Sequence, residues 1–364
     1  GRRNNLFVIF NHLLVHSMNT NSQILLSLGV LFALGLLCHE LGKRTAIPRV
    51  SLLLLVGVLA SAHVFDLVPP ELVAQFPLIS QFALCLVGFL IGEQFVYHSL
   101  QLSGRSIWII TFVQAITTAT VVLIFLFLVG TPVVLAILLA GIAVTTAPTA
   151  SLDVIKENHF KGELPNILLK VVAIDDVIGI LLFSVCFSIA QLFNGHADIA
   201  YNLMHAIKEI ILAIGLGVVL GWPMAKLTGR LNKGEPMLME ALAFILICGS
   251  IAQWMHASYI LSCIVLGAMV ANFAKHHERP FHAIEGISTP LLIVFFILAG
   301  YQFDVMHIQA IGLFGIAYIL SRSIGKVGGG YIGAKLAHTD KHISSSLGWC
   351  LLPQAGIALG LALM

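Results

Sequence analysis

The sequence predicts an all-α, polytopic membrane protein, and three observations support this. Of its 364 residues, 59% are hydrophobic and only 10% are charged, whereas a soluble protein usually carries about 25% charged residues. The apolar residues form long windows, as expected where ~20 residues cross a hydrocarbon core of ~30 Å as a helix. Basic residues occupy alternate connections between these windows. The composition excludes a soluble protein. A net charge of +2, without a basic stretch interleaved with aromatics, argues against a nucleic-acid partner.

Twelve apolar windows follow one another along the chain, and each is expected to form one membrane-spanning helix. The break between the eighth and ninth windows falls at His256 and Ala257, where the sequence has no strong turn signal. In order, the windows cover residues 21–38, 46–62, 76–97, 106–129, 132–155, 164–193, 202–222, 237–255, 257–274, 286–303, 308–335 and 343–364.

The basic residues predict the orientation, because short cytoplasmic loops are enriched in Lys and Arg. The connections 62–75, 130–131, 194–201 and 304–307, which follow even-numbered windows, contain neither residue. We therefore expect the amino end outside and the basic loops in the cytoplasm, as in a bacterial inner membrane. The connections after odd-numbered windows carry Lys43, Arg44, Arg49, Arg105, Lys156, Lys161, Lys226, Arg230, Lys233, Lys275, Arg279, Lys335 and Lys341.

The two ends of the chain and its cysteines allow further expectations. Residues 1–20 have three open interpretations: an extension before Met18, including one added by cloning, an interfacial helix, or a short extra span. The last window is still apolar at Met364, so we expect the natural protein to continue into at least one more helix. The six cysteines lie in apolar stretches without a CxxC pair, which indicates packing residues rather than a disulfide framework or a zinc site.

Two adjacent carboxylates, Asp175 and Asp176, lie inside the sixth window. An acidic residue at mid-membrane costs roughly 2.5 to 3.5 kcal/mol, so the pair needs a cation, a counter-charge or an aqueous cavity. Neighbours on a helix point ~100° apart, so each carboxylate can meet a different partner. The pattern indicates an ion site rather than a structural brace, because two carboxylates repel each other.

Two basic residues in the eleventh window, Arg322 and Lys326, are candidates for the counter-charge. They are four residues apart and share a helix face. Lys326 lies nine residues before Lys335, and Asp175 lies eleven residues after Leu164, so they are expected at similar depths in the membrane. Snorkelling to the headgroups is the alternative for both basic side chains.

Helix interruptions are predicted in the fifth and twelfth windows. The fifth contains Thr145-Thr146-Ala147-Pro148, and the twelfth contains Pro353-Gln354-Ala355-Gly356. Proline frees a backbone carbonyl, which lipid tolerates only where neighbours or a water-lined cavity satisfy it. Interruptions at matching places in two halves indicate a transporter site built from inverted repeats. Each proline alone is also compatible with a simple kink.

This constellation resembles the monovalent cation:proton antiporter superfamily, particularly bacterial sodium/proton exchangers of the NapA type and, more distantly, NhaA. The resemblance rests on residues 173–179 for the paired-aspartate helix, 146–148 for the first interrupted helix, 325–326 for the basic helix, and 89–93 for a FLIGLE-like run. It covers the chain from about Asn21 to Met364.

The resemblance implies an NhaA-like antiporter fold of thirteen helices, twelve of them visible here, in inverted repeats with two interrupted helices. It also implies a homodimer in which a mobile core moves past a scaffold. In this sequence, the scaffold and dimerisation helices would be 21–98 and 237–303, the linker helix 202–222, and the core 104–193 and 308–364.

By the same resemblance, Asp176 would be the ligand of the transported Na⁺, Asp175 would pair with Lys326, and Thr145 and Thr146 would help line the site. Many exchangers have an acidic residue between threonine and proline, where this chain has Ala147. That difference removes a possible ligand and leaves the selectivity among Na⁺, Li⁺ and K⁺ open.

The sequence therefore predicts a secondary active antiporter, not an enzyme, that exchanges a monovalent cation for protons by alternating access and serves pH homeostasis. Its substrates would be Na⁺, or Li⁺ or K⁺, and protons, with no cofactor. A sodium-coupled organic-solute carrier and a K⁺/H⁺ antiporter are the alternatives. A channel and an intramembrane protease fit less well; adjacent aspartates do not converge as aspartyl catalysis needs, and His39-Glu40 lacks the second histidine of a zinc helix.

Two further features can be interpreted either as ordinary interfacial residues or as functional ones. Glu93, at the end of the third window, is either an interfacial residue or one with a role in folding or regulation. The fifteen histidines cluster near helix ends, which suits interfacial anchoring. Because histidine titrates near neutrality, a cytoplasmic pH sensor is the alternative.

Overall fold

The computed structural model describes residues 20–44, 49–61, 68–93, 95–157, 159–192, 199–228, 237–274, 278–302 and 308–354. Fourteen helices make up nearly all of these ranges. They are α1 (Thr20–Arg44), α2 (Arg49–Leu59), α3 (Pro70–Ala74), α4 (Phe76–Gly92), α5 (Tyr97–Leu128), α6 (Val133–Ile142), α7 (Pro148–Glu157), α8 (Glu163–Leu192), α9 (Ile199–Thr228), α10 (Met237–Trp254), α11 (Tyr259–Phe273), α12 (Glu278–Tyr301), α13 (Ile308–Leu336) and α14 (Lys341–Cys350).

Every one of the twelve predicted windows contains a described helix, so the predicted all-α fold is confirmed. The two additional helices have simple origins: α3 lies in the connection 62–75, and the fifth window is divided into α6 and α7. In a bilayer, each backbone polar group must find a partner within the protein, and a helix provides this within one segment. The interpretations of residues 1–19 and of the chain beyond Gln354 concern residues outside the described part.

Helix ends differ from the window ends where polar residues continue an apolar helix. Helix α5 begins at Tyr97 instead of 106, and α12 begins at Glu278 instead of 286. Hydropathy marks the part of a helix that is apolar, whereas the backbone hydrogen bonds continue into its polar ends. Within the described ranges, four helical segments are both long and apolar enough to cross a membrane: Ser22–Gly42, Gly104–Leu128, Ile207–Thr228 and Glu278–Tyr301.

The predicted break between the eighth and ninth windows is confirmed, and its cap is visible. Helix α10 ends at Trp254, and α11 begins at Tyr259 after Ser258. The Ser258 hydroxyl oxygen accepts a hydrogen bond from the backbone N–H of Leu261 at 3.3 Å, which is the usual arrangement of a serine N-cap. His256 adopts a φ of 55° in the turn. Ser258 was therefore the turn signal that our sequence analysis overlooked.

The chain forms two compact units. The first comprises residues 1–83 and 289–308. In it, glycines let helices approach closely: a methyl group added at Gly57 would lie 2.9 Å from the Cα of Gly300. The aromatic rings of Phe76 and Phe295 stack with their centroids 6.0 Å apart.

The second unit comprises residues 84–288 and 309–364 and contains both predicted interruptions. Within it, α13 has glycines at every fourth position, which lie against α5. A methyl group added at Gly325 or Gly329 would lie 2.8 Å from the Cα of Thr118 or Gln114, respectively. Small residues at this spacing allow two helix backbones to approach closely in a membrane. This approach brings the polar side of α5 beside Lys326.

Helix α13 also lies tightly against α14. A methyl group added at Gly330 would be 2.6 Å from the Cα of Gly348, closer than real Cβ atoms approach. Gly328, on the same helix, has no atom within 4 Å of the corresponding position. The two glycines therefore make a matched pair for testing the packing.

We predict that Gly330→Ala destabilises the protein by about 1 to 3 kcal/mol, because overpacking forces the two backbones apart. Gly328→Ala should be neutral or stabilise the helix by up to about 1 kcal/mol, since alanine has the higher helix propensity. Thermal unfolding of the purified protein in detergent measures both. Equal unfolding temperatures for the two variants would contradict the described packing of α13 on α14.

Candidate functional site

The first interruption separates α6 from α7 and is not helical between Thr145 and Ala147. Pro148 begins α7, where its missing N–H is not needed by the helix. The second interruption follows Cys350, the last residue of α14. The backbone N–H of Ala147 donates to the carbonyl oxygen of Pro353 at 2.9 Å. The structure therefore brings the two predicted interruptions into direct contact. Gly356 lies outside the described residues.

Arg322 binds backbone carbonyls of both interruptions. Its Nε donates to Ala143 at 3.1 Å, one terminal nitrogen donates to Thr145 at 2.9 Å, and the other donates to Leu352. The side chain is buried. Cations are stabilised beside the carbonyl ends of helices, and the guanidinium has a fixed fork of donors. Arg322 thus satisfies carbonyls that the interruptions free and links the two segments.

Asp175 and Lys326 form an ion pair in the interior of the unit. The Lys326 Nζ lies 3.2 Å from the Asp175 Oδ2, and both side chains have 0% exposure. Of the two basic residues offered by the sequence as the counter-charge, Lys326 is the one that contacts Asp175. The snorkelling alternative for Lys326 is excluded by this burial. A buried ion pair of this kind needs further hydrogen bonds to offset the loss of water.

Thr146 and Gln114 supply those hydrogen bonds. The Thr146 hydroxyl donates to the Asp175 Oδ2 at 2.7 Å, and the Gln114 amide donates to the Asp175 Oδ1. Lys326 in turn donates to the Gln114 Oε1 at 2.9 Å, to the Thr146 Oγ1 at 2.8 Å and to the carbonyl oxygen of Val144. Both oxygens of the carboxylate are therefore held.

Gln114 is the residue of this network that our sequence analysis missed. It lies in α5, within the fourth apolar window, and is completely buried. An amide in the middle of an apolar span was the available signal, because polar groups inside a membrane need partners. The same window also contains Thr111, Thr117 and Thr118, so the sequence did not single out Gln114.

The remaining predicted site residues are placed as follows. Thr145 is buried, but its hydroxyl donates to the carbonyl of Ile142 at 3.2 Å, whereas its own carbonyl accepts from Arg322. The Gln354 amide donates to the Tyr318 hydroxyl at 2.8 Å. Glu93 follows the end of α4. Asp176 belongs to α8, but its side chain lies outside the described part of the structure.

Comparison with known proteins identifies the chain. The profile of the family described as "Sodium/hydrogen exchanger, transmembrane" matches residues 7–364. The chain belongs to the sodium/hydrogen exchanger family. It is therefore a multi-pass membrane protein and a secondary antiporter of cations and protons, as predicted. No curated protein sequence matches the chain.

Solved structures of a sodium proton antiporter, MjNhaP1 from Methanocaldococcus jannaschii, share the fold of this exchanger. The structure at pH 8 has a TM-score of 0.68 at 18% identity and covers 93% of this chain and 85% of that chain. A structure from an electron microscopy map has a TM-score of 0.73 at 17% identity, with coverages of 95% and 85%. At these identities the likeness concerns the fold.

The network gives the exchanger a buried carboxylate whose charge is balanced by the Lys326 ammonium. A carboxylate can accept a proton or a positive ion, and a lysine side chain has four rotatable bonds with which to approach or leave it. The interruptions provide carbonyl and hydroxyl oxygens at the same place. These are the ligand types that hard cations prefer.

We predict that Arg322→Lys lowers the rate of exchange about tenfold or more and lowers the unfolding temperature. The ammonium keeps the charge but cannot reach three carbonyls with a fixed fork, and each buried carbonyl left unsatisfied costs about 1 to 3 kcal/mol. Ion-driven proton flux in proteoliposomes and thermal unfolding measure the two effects.

The matched control is Ser323→Ala, at the next position of α13. The Ser323 hydroxyl bonds within its own helix, to the carbonyl of Ile319 at 2.7 Å. This variant should keep the rate and stability of the unmodified protein. An Arg322→Lys variant that behaves like Ser323→Ala would show that the three carbonyl bonds are dispensable.

Proposed function

We propose that the chain exchanges Na⁺ for protons across a bacterial inner membrane, with Asp176 as the ligand of the transported ion. The proposal is supported chiefly by the completely buried pair of Asp175 and Lys326 beside two touching helix interruptions.

Asp176 is proposed as the ion ligand because its neighbour is already engaged. Asp175 accepts hydrogen bonds on both carboxylate oxygens. The ammonium of Lys326 balances its charge. The next residue on the helix points ~100° away and can face a different partner. One carboxylate of the pair is thus held in the protein network, and we assign the alternate binding of a proton and a sodium ion to the other. Because these two ligands exclude each other, their fluxes are coupled in opposite directions.

The transport cycle is proposed to follow the family resemblance. The core, residues 104–193 and 308–364, would move past the scaffold, residues 21–98 and 237–303, and expose Asp176 to one side of the membrane at a time. The amino end would lie outside, the scaffold helices would form a homodimer, and the helices would form inverted repeats. No cofactor is needed, because Na⁺ and protons are the only substrates in this scheme.

We predict that Asp176→Asn lowers sodium-driven proton flux about a hundredfold, since loss of a charged ligand costs roughly 3 kcal/mol. The measurement is proton flux in sealed proteoliposomes after addition of Na⁺, Li⁺ or K⁺, which also identifies the transported ion. Asp340→Asn is the control, because it makes the same chemical change at an exposed residue before α14. Unchanged flux in folded Asp176→Asn would exclude Asp176 as the ion ligand.

We also predict that the exchange moves net charge. If Lys326 pairs with Asp175 only while Asp176 lacks its ion, a second proton is released in each cycle. Sodium-driven proton flux should then generate a membrane potential, which a potential-sensitive dye or a solid-supported membrane current detects. Sodium-driven proton flux without charge movement would show that the exchange is electroneutral.

A further inference from the structure

Asn272, near the end of α11, binds the backbone that joins α4 to α5. Its amide oxygen accepts a hydrogen bond from the backbone N–H of Tyr97 at 2.7 Å, and its amide nitrogen donates to the carbonyl oxygen of Phe95 at 2.8 Å. The same nitrogen donates to the carbonyl oxygen of Ala268, one turn earlier in α11, at 2.7 Å. An asparagine amide offers one oxygen and two N–H groups, so all three are engaged.

The conformation of the joining segment suits this pairing. Val96, between the two bonded residues, is extended, with a φ of −70° and a ψ of 130°. In an extended chain, the carbonyl before a residue and the N–H after it point to the same side, as they do toward a neighbouring strand. One side-chain amide can therefore bind both groups at once. Neither a hydroxyl nor a carboxylate could pair with both in the same way.

Helix α11 is itself held against α4 by contact between the two backbones. A methyl group added at Gly92 would lie 2.7 Å from the Cα of Gly267, closer than real Cβ atoms approach. Small residues at a helix contact allow such proximity in a membrane. The joining segment is also bound to α4, because the Phe95 N–H donates to the carbonyl oxygen of Gly92 at 3.0 Å. The segment is thus fastened to both helices.

These contacts lie where the proposed scaffold ends and the chain passes to the proposed core. Helices α4 and α11 belong to the proposed scaffold, whereas α5 runs on into the proposed core. Gln114, the α5 residue that contacts Asp175, lies 17 residues beyond Tyr97. At ~1.5 Å per residue, this is about 26 Å along the helix. Asn272 therefore acts on the connection and not on the buried carboxylate.

We propose that Asn272 is a positioning residue for transport, which anchors the start of α5 to the scaffold so that the core moves about a fixed point. This inference rests on the proposed function, because it assigns a fixed end to the movement of the core. Without the anchor, the joining segment shifts with the core, and part of each movement is lost in the connection. Fewer movements then carry the ion across, while the affinity of the ion site is unchanged.

The alternative is that Asn272 only caps α5. Val96 gives that helix no side-chain cap, and the Asn272 oxygen satisfies one of the N–H groups left without a partner at a helix start. The two roles make opposite predictions for aspartate at this position. A carboxylate still accepts from the Tyr97 N–H, and its charge is favourable at a helix start. It cannot donate to the Phe95 carbonyl, however, so it cannot hold the segment.

The first experiment compares Asn272→Asp with Asn272→Ala in proteoliposomes, at a neutral or alkaline pH at which the new carboxyl is ionised. We expect both variants to lower the maximal rate of sodium-driven proton flux at least about fivefold, the effect of one or two hydrogen bonds. The sodium concentration that gives half the maximal rate should stay within about twofold, because ion binding is unaffected.

Asn166→Asp is the matched control, because it makes the same change at an exposed residue of α8. It should keep the rate of the unmodified protein. A capping role predicts the full rate for Asn272→Asp and a lower rate for Asn272→Ala. That result, or a full rate in both variants, would overturn the proposal.

A second variant covers the case in which the Asn272 variants do not fold. Tyr97→Pro removes the N–H that Asn272 binds, and proline is well suited to the first position of a helix. Val96 already has the extended conformation that a following proline requires. We expect a maximal rate at least about threefold below that of Tyr97→Ala, which keeps the N–H. Equal rates would contradict the anchor, because a helix that begins with proline does not need this cap.

Hydrogen exchange, followed by mass spectrometry, tests the anchor without transport. The backbone N–H groups of residues 95–100 should exchange at least about tenfold faster in Asn272→Ala than in the unmodified protein, because local opening becomes easier. In Asn166→Asp they should exchange at the unmodified rate. Flux that is absent from the unmodified protein would refute the proposed function. Unchanged hydrogen exchange in Asn272→Ala would overturn the anchor even where flux is present.

Discussion

The structure depends on the constraint that a carboxylate with 0% exposure, Asp175, lies inside an apolar helix. An uncompensated charge in this position is too costly to keep, so a positive group must reach it from another helix. Lys326 does so, and it can because glycines on α13 allow α5 and α14 to approach closely. The ion pair, the glycine spacing and the position of Gln114 therefore all contribute to stabilising the buried charge of Asp175.

The helix interruptions leave backbone carbonyls that need hydrogen-bond donors, and α13 supplies these donors as well. An interrupted helix exposes carbonyls that lipid cannot satisfy. Arg322 binds three of them, at Ala143, Thr145 and Leu352, and Lys326 binds the carbonyl of Val144 between them. The two buried basic residues of α13 thus have different main partners: Lys326 engages the Asp175 carboxylate, and Arg322 engages backbone carbonyls. Any movement of α13 changes both sets of contacts together, which provides a physical link between ion binding and the arrangement of the interrupted helices.

Much of this was predictable from the sequence because the bilayer limits the choices. Apolar length and basic loops predicted the number of helices, proline in mid-span predicted the interruptions, and matching depth in the membrane indicated that a basic residue of the eleventh window could meet the aspartate pair. The division of roles between Arg322 and Lys326 was not predictable, since one helical turn separates them and both could reach the same level. The role of Gln114 was not predictable either, because choosing it over the nearby threonines requires knowing which face of α5 the glycines of α13 contact.

The proposed exchange requires a proton and a sodium ion to compete for one carboxylate of the aspartate pair. Calorimetric titration of the purified protein with Na⁺ over a range of pH, in buffers of different ionisation enthalpy, tests it most directly. Linkage predicts that protons are released as sodium binds, and that the apparent sodium affinity falls about tenfold per pH unit in the acidic range. Sodium binding that releases no protons and has the same affinity at every pH would contradict the claim.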